Sequence, residues 1–424
     1  MACTQDLGNG KYRIIISNGF LANGKQNRIT KTISAKSRKQ AEKIAAEMEV
    51  DFRRNIISPV SNAPSQSELC FKDLVDKWRS LVAPHLAVST RERYESLLSK
   101  DIMPYFQDLK LSKIKPITVN EYLAHIDRTR NPAPKTLKEH YILINRLFNI
   151  AYNWDLIERN PCNKVEKPKA PEPIIDFYNT DQMQALFNAL DIEDQELEEL
   201  INHSVKYDRY YTPEKVNKSI AVRRYKALQF RVFIVLAFVT GLRREEALGL
   251  ERSDLDFKNN QIQIVRTSQY SPKIGLYSKN MLKNGDPIRI LPMPQEAMNQ
   301  LSTLLKKQDE CRALMGDEWV YSDRLFIAIK GGVHTKAGGP IMPDNITQSF
   351  SRFQKKHNLP HLKLHGLRHS AASYMISNNI NLLAVANRLG HKDLKMTMHY
   401  AHLFESTKRE AADVFSGILK DKVQ

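Results

Sequence analysis

Cysteine is scarce and scattered. Cys3, Cys70, Cys162 and Cys311 are four in 424 residues, with no Cys-x-x-Cys pair and no disulfide-like framework, which fits a reducing compartment. No zinc-ligand spacing, acidic metal cluster or Gly-rich phosphate loop occurs, so metal-assisted and nucleotide-dependent chemistry have no motif to rest on. The apolar run Val232 to Val239 falls well short of the roughly 20 residues a bilayer span needs. The first residues, Met-Ala-Cys-Thr-Gln-Asp, lack the charged-then-apolar pattern of a signal peptide. These absences lead us to expect a cytoplasmic protein with no cofactor.

Positive charge is abundant. Lys and Arg number 64 against 47 Asp and Glu, a net charge of +17. Such a balance suggests a polyanionic partner, either nucleic acid or an acidic membrane surface. No concentrated basic amphipathic helix supports the membrane reading. Apolar residues make up 42%, enough for sizeable cores, and the length suggests two or three domains.

Residues 1–57 form the first unit. Lys11 to Ser17 and Asn27 to Ser34 read as strands around an Asn23-Gly24 turn. Ser37 precedes a helical pattern to about Arg54, with Ala41, Ile44, Ala45, Met48 and Phe52 on one face. Between residues 11 and 54 stand eleven Lys or Arg and four acids, suited to contact with a DNA groove or backbone. A Ser/Pro/Asn-rich linker follows, 57 to 68. Residues 69–168 read as a helical bundle. Three capping-box patterns, Ser89 with Glu92, Thr118 with Glu121 and Thr136 with Glu139, are expected to open helices there. One later helix places Tyr141, Ile144, Leu147, Phe148 and Ala151 on a single face and stops near Trp154.

Residues 174–424 form the large unit. A helix from Asp181 gives way to an acidic, polar segment at Asp191 to Glu199. The charged stretch from about Glu193 to Tyr225 reads as a solvent-exposed or regulatory insertion. A helical run from about Arg223 to Phe238 breaks at Thr240-Gly241. Gln261 to Arg266 and Pro287 to Leu291 read as strands, with Asn284-Gly285 as a turn. Helices are expected near 294–314, 343–356, 366–378, 382–389 and 406–419.

The chemistry concentrates in two stretches, Thr240-Gly-Leu-Arg243-Arg-Glu-Glu246 and His365-Gly-Leu-Arg368-His369-Ser370, the latter followed by Leu389-Gly-His391 and Tyr400. A phenol has a pKa near 10, so as a nucleophile it needs help with its proton and an activated electrophile. A phosphodiester transition state gains charge on its non-bridging oxygens. Arginine forks can hold that charge without ever losing their own. Arg243 and Arg368 could clamp such a group from two segments. Lys283 is a candidate general acid for a leaving alkoxide, and Lys279 is a rival for that role. His365 and His391 can exchange protons near neutral pH. Glu246, three residues beyond Arg243, could orient that arginine. Thr397 could cap a short helix carrying Tyr400. Each residue alone also has a bland reading: a surface ion pair, a satisfied histidine, a core tyrosine.

In their order and spacing these residues resemble the tyrosine recombinase, or phage integrase, family. The resemblance covers nearly the whole chain. It implies a multidomain, mainly α protein with small β-sheets: a small α+β arm-type DNA-binding domain at 1–57, a helical core-binding, SAM-like domain at 69–168 and a mixed α/β catalytic domain at 174–424. It implies that Arg243, Lys283, His365, Arg368 and His391 activate the phosphate and that Tyr400 attacks it, giving a 3′-phosphotyrosyl link and a free 5′-hydroxyl. No ATP or metal is implied. Expected partners are double-stranded DNA at attachment sites, three further copies in a synaptic tetramer bridged by the last helix, a DNA-bending host factor and an excisionase. A binding protein that lost catalysis and a type IB topoisomerase are the alternatives. The full set of site residues argues against the first, and the basic N-terminal unit against the second.

Overall fold

The computed structural model describes residues 2–8, 10–20, 26–35, 37–56, 69–171, 175–207, 212–280, 288–332, 334–391, 393–398 and 400. The Asn23-Gly24 turn, the linker at 57–68, Lys283 with the Asn284-Gly285 turn, and the helix expected at 406–419 all lie outside the described residues. The chain divides into two compact units, 1–171 and 172–424.

In the first unit, β1 (Ala2–Asp6), β2 (Lys11–Phe20) and β3 (Gln26–Ser34) form an antiparallel sheet in that order. Strand β1 escapes sequence reading because ACTQD has no apolar alternation; backbone pairing to β2, from Ala2 opposite Ile16 to Asp6 opposite Tyr12, makes it a strand. Alternation along β2 buries Tyr12, Ile14 and Ile16 and turns Lys11 and Arg13 outward. Helix α1 (Arg38–Ile56) covers that face with Ala41 and Ala45, whose small side chains allow close approach.

The helical bundle has its own core. Helices α2 (Phe71–Leu81), α3 (Val88–Leu97), α4 (Met103–Phe106), α5 (Pro116–Arg130) and α6 (Pro134–Asn153) surround Phe71, Trp78, Phe106, Tyr122 and Phe148. The expected face of α6 is buried in full, and Trp154 ends that helix. The capping boxes are not what opens these helices. α5 and α6 begin at Pro116 and Pro134, two residues before the hydroxyls. Proline carries no N–H to orphan and its fixed φ already suits the first helical position. Thr118 then works in reverse, accepting the Lys115 backbone N–H at 3.3 Å. α3 likewise starts ahead of Ser89. A turn of π-helix at Leu98–Ile102 bulges between α3 and α4 and carries Asp101 into a buried network. There the Tyr122 hydroxyl meets His140 Nδ1 at 2.6 Å, His140 Nε2 stands 3.5 Å from Asp101, and Arg130 pairs with Asp101 at 2.7 Å.

In the second unit, α7 (Thr180–Tyr207) and α8 (Pro213–Thr240) are each 28 residues long. The acidic, polar segment at Asp191 to Glu199 therefore continues the helix that precedes it. Glu, Gln and Leu are strong helix formers, and basic side chains meet the acids across the packing. Asp191 and Asp194 hold Arg231, Glu193 and Glu196 hold Lys356, and Glu198 holds Arg224. α8 buries Val232, Phe233, Ile234, Leu236 and Ala237 in the main core. Two small sheets follow. β4 (Leu255–Asp256), β5 (Gln261–Ile264) and β8 (Arg289–Pro292) pair antiparallel, and β6 (Arg266–Ser271) with β7 (Gly275–Asn280) makes a hairpin. The turn of that hairpin is at residues 271–275. Buried Arg324 ties this hairpin down by donating to Ser278 Oγ and to the Gly249 carbonyl. Helices α10 (Gln295–Met315), α11 (Pro343–Lys356), α12 (Gly366–Ser377), α13 (Leu382–Leu389) and the single turn α14 (Lys395–Met398) complete the unit close to their expected places.

Candidate active site

The C-terminal end of α8 sets the frame. Gly241 closes the helix at φ +64°, and a Cβ there would come within 2.2 Å of the Leu389 side chain. The chain then turns into α9 (Arg244–Ala247), with Arg243 at its cap. Glu246 accepts the Arg243 backbone N–H at 3.0 Å and its guanidinium at 2.9 Å, the orienting role expected of it. The same carboxylate takes Arg289, the first residue of β8, at 2.8 Å. Arg289 also donates to the Arg388 carbonyl at 3.2 Å. Its guanidinium lies so close under Gly390, φ +71°, that a Cβ there would approach within 2.5 Å.

Helix α12 brings the second set. His365 precedes its first residue, and Arg368, 3% exposed, donates Nη1 to the Gly241 carbonyl at 2.6 Å. Nη2 of Arg368 is buried and has no hydrogen-bond partner among the described residues. His391 follows the left-handed Gly390 that ends α13, and Thr397 fixes its Nδ1 at 2.7 Å. Thr397 is therefore an anchor for His391 inside α14, not the expected cap. Tyr400, 2% exposed, packs with Ala372, Ile376, Val385 and Leu389. Its hydroxyl is hydrogen-bonded to His369 Nδ1, and the His369 ring stands edge-on to that of His365 with centroids 4.9 Å apart.

Charge in this cluster is lopsided. Burial lowers Arg368 to about 10, helped by Arg243 and Arg289 and opposed by Glu246, so it stays cationic at neutral pH. Burial also lowers both histidines, and the neighbouring arginines push the same way: His391 falls to about 4, and His365 lies below its ordinary value. Burial raises the Tyr400 phenol to about 12, against the pull of Arg368. Burial would raise Glu246 too, but Arg289 and Arg243 outweigh it and keep the carboxylate ionised. Two arginines thus pair with one buried carboxylate, Arg368 feels it only at a distance, and one edge of the Arg368 guanidinium faces no acceptor among the described residues. That is an environment prepared for an anion.

Arg243, His365, Arg368, His391 and Tyr400 come together from two stretches far apart in the chain, while Lys283 lies outside the described residues. Lys279 sits in β7 opposite Thr267. Arg289 and His369 were not singled out from sequence, although both carried a signal. Arg289 shares strand parity with buried Leu291 rather than exposed Ile290, an inward-facing charge. His369 stands four residues from His365 on one helix, so the two rings share a face.

The model for the phage integrase family matches residues 209–407, and that for the phage integrase N-terminal SAM-like domain matches 70–126. This chain belongs to the phage integrase family. It is a tyrosine-type site-specific recombinase, an enzyme of DNA strand exchange. A XerC-like tyrosine recombinase of Caldanaerobacter subterraneus is 24% identical, covering 98% of this chain and 98% of the relative. The ICEBs1 integrase of Bacillus subtilis is 21% identical over 97% of this chain and 99% of its own length. The integrase of transposon Tn1549, solved in complex with transposon right-end DNA, superposes with a TM-score of 0.56 at 19% identity. It covers 78% of this integrase and 94% of the solved chain. That likeness speaks to the fold. Among the described residues of the integrase, no helix is long and apolar enough to cross a membrane.

Proposed function

We propose that this integrase cuts and rejoins double-stranded DNA at the attachment sites of a mobile element, with Tyr400 as nucleophile. The observation that carries the residue assignment is the buried Arg368 guanidinium with an unused Nη2, set beside Arg243 and Arg289. A phosphodiester supplies the missing acceptors. Arg243 and Arg368 hold its non-bridging oxygens, and the charge gained in the transition state strengthens that hold. Burial and the arginines favour neutral His365 and His391; a bound anion would offset the arginines and move both upward. Tyr400 Oη bonds to phosphorus as the 5′-oxygen departs with a proton, which we assign to Lys283. The 3′-phosphotyrosyl adduct stores the bond, and the 5′-hydroxyl of another strand reverses the step.

We assign 1–57 as an arm-type DNA-binding domain, 69–168 as the core-binding domain and 174–424 as the catalytic domain. Their basic sheet and the two-sided demands of strand exchange support a tetramer on DNA, aided by a bending host factor and an excisionase. The test uses nicked duplexes carrying the DNA that flanks the integrase's own gene. Wild type should leave SDS-resistant protein–DNA adducts and Tyr400→Phe none. Adducts persisting in Tyr400→Phe would remove Tyr400 from the role.

A further inference from the structure

We propose that His369 is the general base that takes the Tyr400 proton during strand cleavage and returns it during rejoining. The proposal rests on Tyr400 being the nucleophile. Its own observation is the hydrogen bond between the Tyr400 hydroxyl and His369 Nδ1. With the phenol donating, the imidazole carries its own proton on Nε2 and its Nδ1 lone pair accepts from the reacting oxygen. His391 spends its Nδ1 on Thr397, and His365 meets His369 ring to ring. His369 is the histidine whose nitrogen meets the nucleophile. It sits in the first turns of α12 beside Arg368, so one rigid helix delivers both the phosphate clamp and the base.

The need is plain. Burial makes this phenol harder to ionise than a free tyrosine, and an un-ionised phenol attacks a phosphodiester poorly. In the cleavage step the Tyr400 O–H bond breaks and its proton moves to His369 Nδ1. The Oη–P bond forms, the P–O5′ bond breaks, and the leaving oxygen takes a proton from the general acid. In rejoining, the 5′-hydroxyl returns its proton to the deprotonated general acid and its oxygen bonds to phosphorus, while the Oη–P bond breaks and the phenolate recovers its proton from the imidazolium. Over one round of cleavage and rejoining the imidazole gains one proton and gives it back, so the base is restored each cycle. The arginines that surround the site favour a transient phenolate, and the edge contact with His365 holds the His369 ring in register.

Asparagine places an oxygen where Nδ1 stands, so His369→Asn keeps the acceptor but cannot carry the proton. The experiment measures adduct formation on a nicked duplex that wild type cleaves and Tyr400→Phe does not, with DNA binding followed separately by gel shift. Expected for His369→Asn is cleavage at least about 100-fold slower with binding unchanged, the usual scale of a lost general base. His369→Ala should be equally slow and should recover part of its rate in added imidazole, whereas His369→Asn, with the cavity filled, should not. Cleavage by His369→Asn within about threefold of wild type would overturn the proposal, since that is far below a lost base. So would a loss in both variants that imidazole leaves untouched, which marks a purely structural contact. Adducts persisting in Tyr400→Phe would sink the Tyr400 assignment itself, and with it this one.

Discussion

The integrase holds a buried tyrosine–histidine pair twice, and the two differ in how their charge is closed. In the helical bundle, Tyr122 meets His140, Asp101 stands at the other imidazole nitrogen, and Arg130 neutralises Asp101. Burial lowers His140 and raises Tyr122, but an acid and a base close the chain. In the recombinase site, Tyr400 meets His369 near Arg368, while Arg243 and Arg289 share Glu246, and Arg368 keeps a donor with no acceptor among the described residues. The same residue pair is a joint between helices in one place and, in the role we propose, reactive machinery in the other. Residue type does not separate them; charge balance does. A balanced network stabilises without a ligand, whereas an unbalanced one is completed only by an anion from outside.

The sharpest way to break this comparison is to remove each phenol oxygen. Tyr400→Phe should abolish covalent adducts while DNA binding persists. Tyr122→Phe should leave adduct formation intact and cost only about 1 kcal/mol of stability, the usual net worth of one hydrogen bond. Equal loss of chemistry in both would erase the distinction.

Removing charge should act in opposite directions. Arg368→Met should slow cleavage by about 10²–10³-fold, the typical cost of one transition-state donor. It should leave the melting temperature unchanged or raised, because a buried, poorly paired cation has gone. Asp101→Asn should spare cleavage and lower stability by about 1–3 kcal/mol, since it leaves His140 without its carboxylate. A lower melting temperature for Arg368→Met would mean that its charge is already balanced.

Acid should separate the two sites more gently. His391 stays neutral when folded down to about 4, against 6.5 when unfolded. The unfolded chain therefore binds the extra proton first, and stability is present above pH 6.5 and lost as pH falls toward 4. Denaturant titrations of wild type and His391→Gln across that window should show a shallower loss in the variant. Parallel curves would show that His391 is not responsible. The smallest effect belongs to the α7 surface. Glu198→Gln breaks a half-exposed pair with Arg224 and should change stability by less than about 1 kcal/mol, with a further decrease of the effect in high salt.

Much of this was legible in the chain. Period-2 alternation gave β2, and i, i+3, i+4 apolar spacing gave α1, α6 and the helices from α10 to α13. The order of the boxes around Arg243, His365, Arg368, His391 and Tyr400 gave the family. Local rules failed where a stronger local or distant partner decided. Pro116 and Pro134 displaced the expected caps, and strand pairing made β1 out of a polar pentapeptide. The acids of α7 read as part of a solvent-exposed or regulatory insertion because their partners, Arg224, Arg231 and Lys356, lie on α8 and α11.

The sequence by itself determined which residues were available: two arginine boxes, the histidines and a late tyrosine, with the helices that carry them. Only the tertiary structure decided which of them share one electrostatic environment. Arg289 reached Glu246 because β8 pairs with β5, and Gly390 left room for its guanidinium. His369 found Tyr400 because α12 and the segment after α14 close on a common apolar cluster. Helix and strand periodicity act within a few residues, so a chain can spell them locally. Desolvation and charge balance depend on everything within several ångströms, and that neighbourhood exists only once the chain has folded.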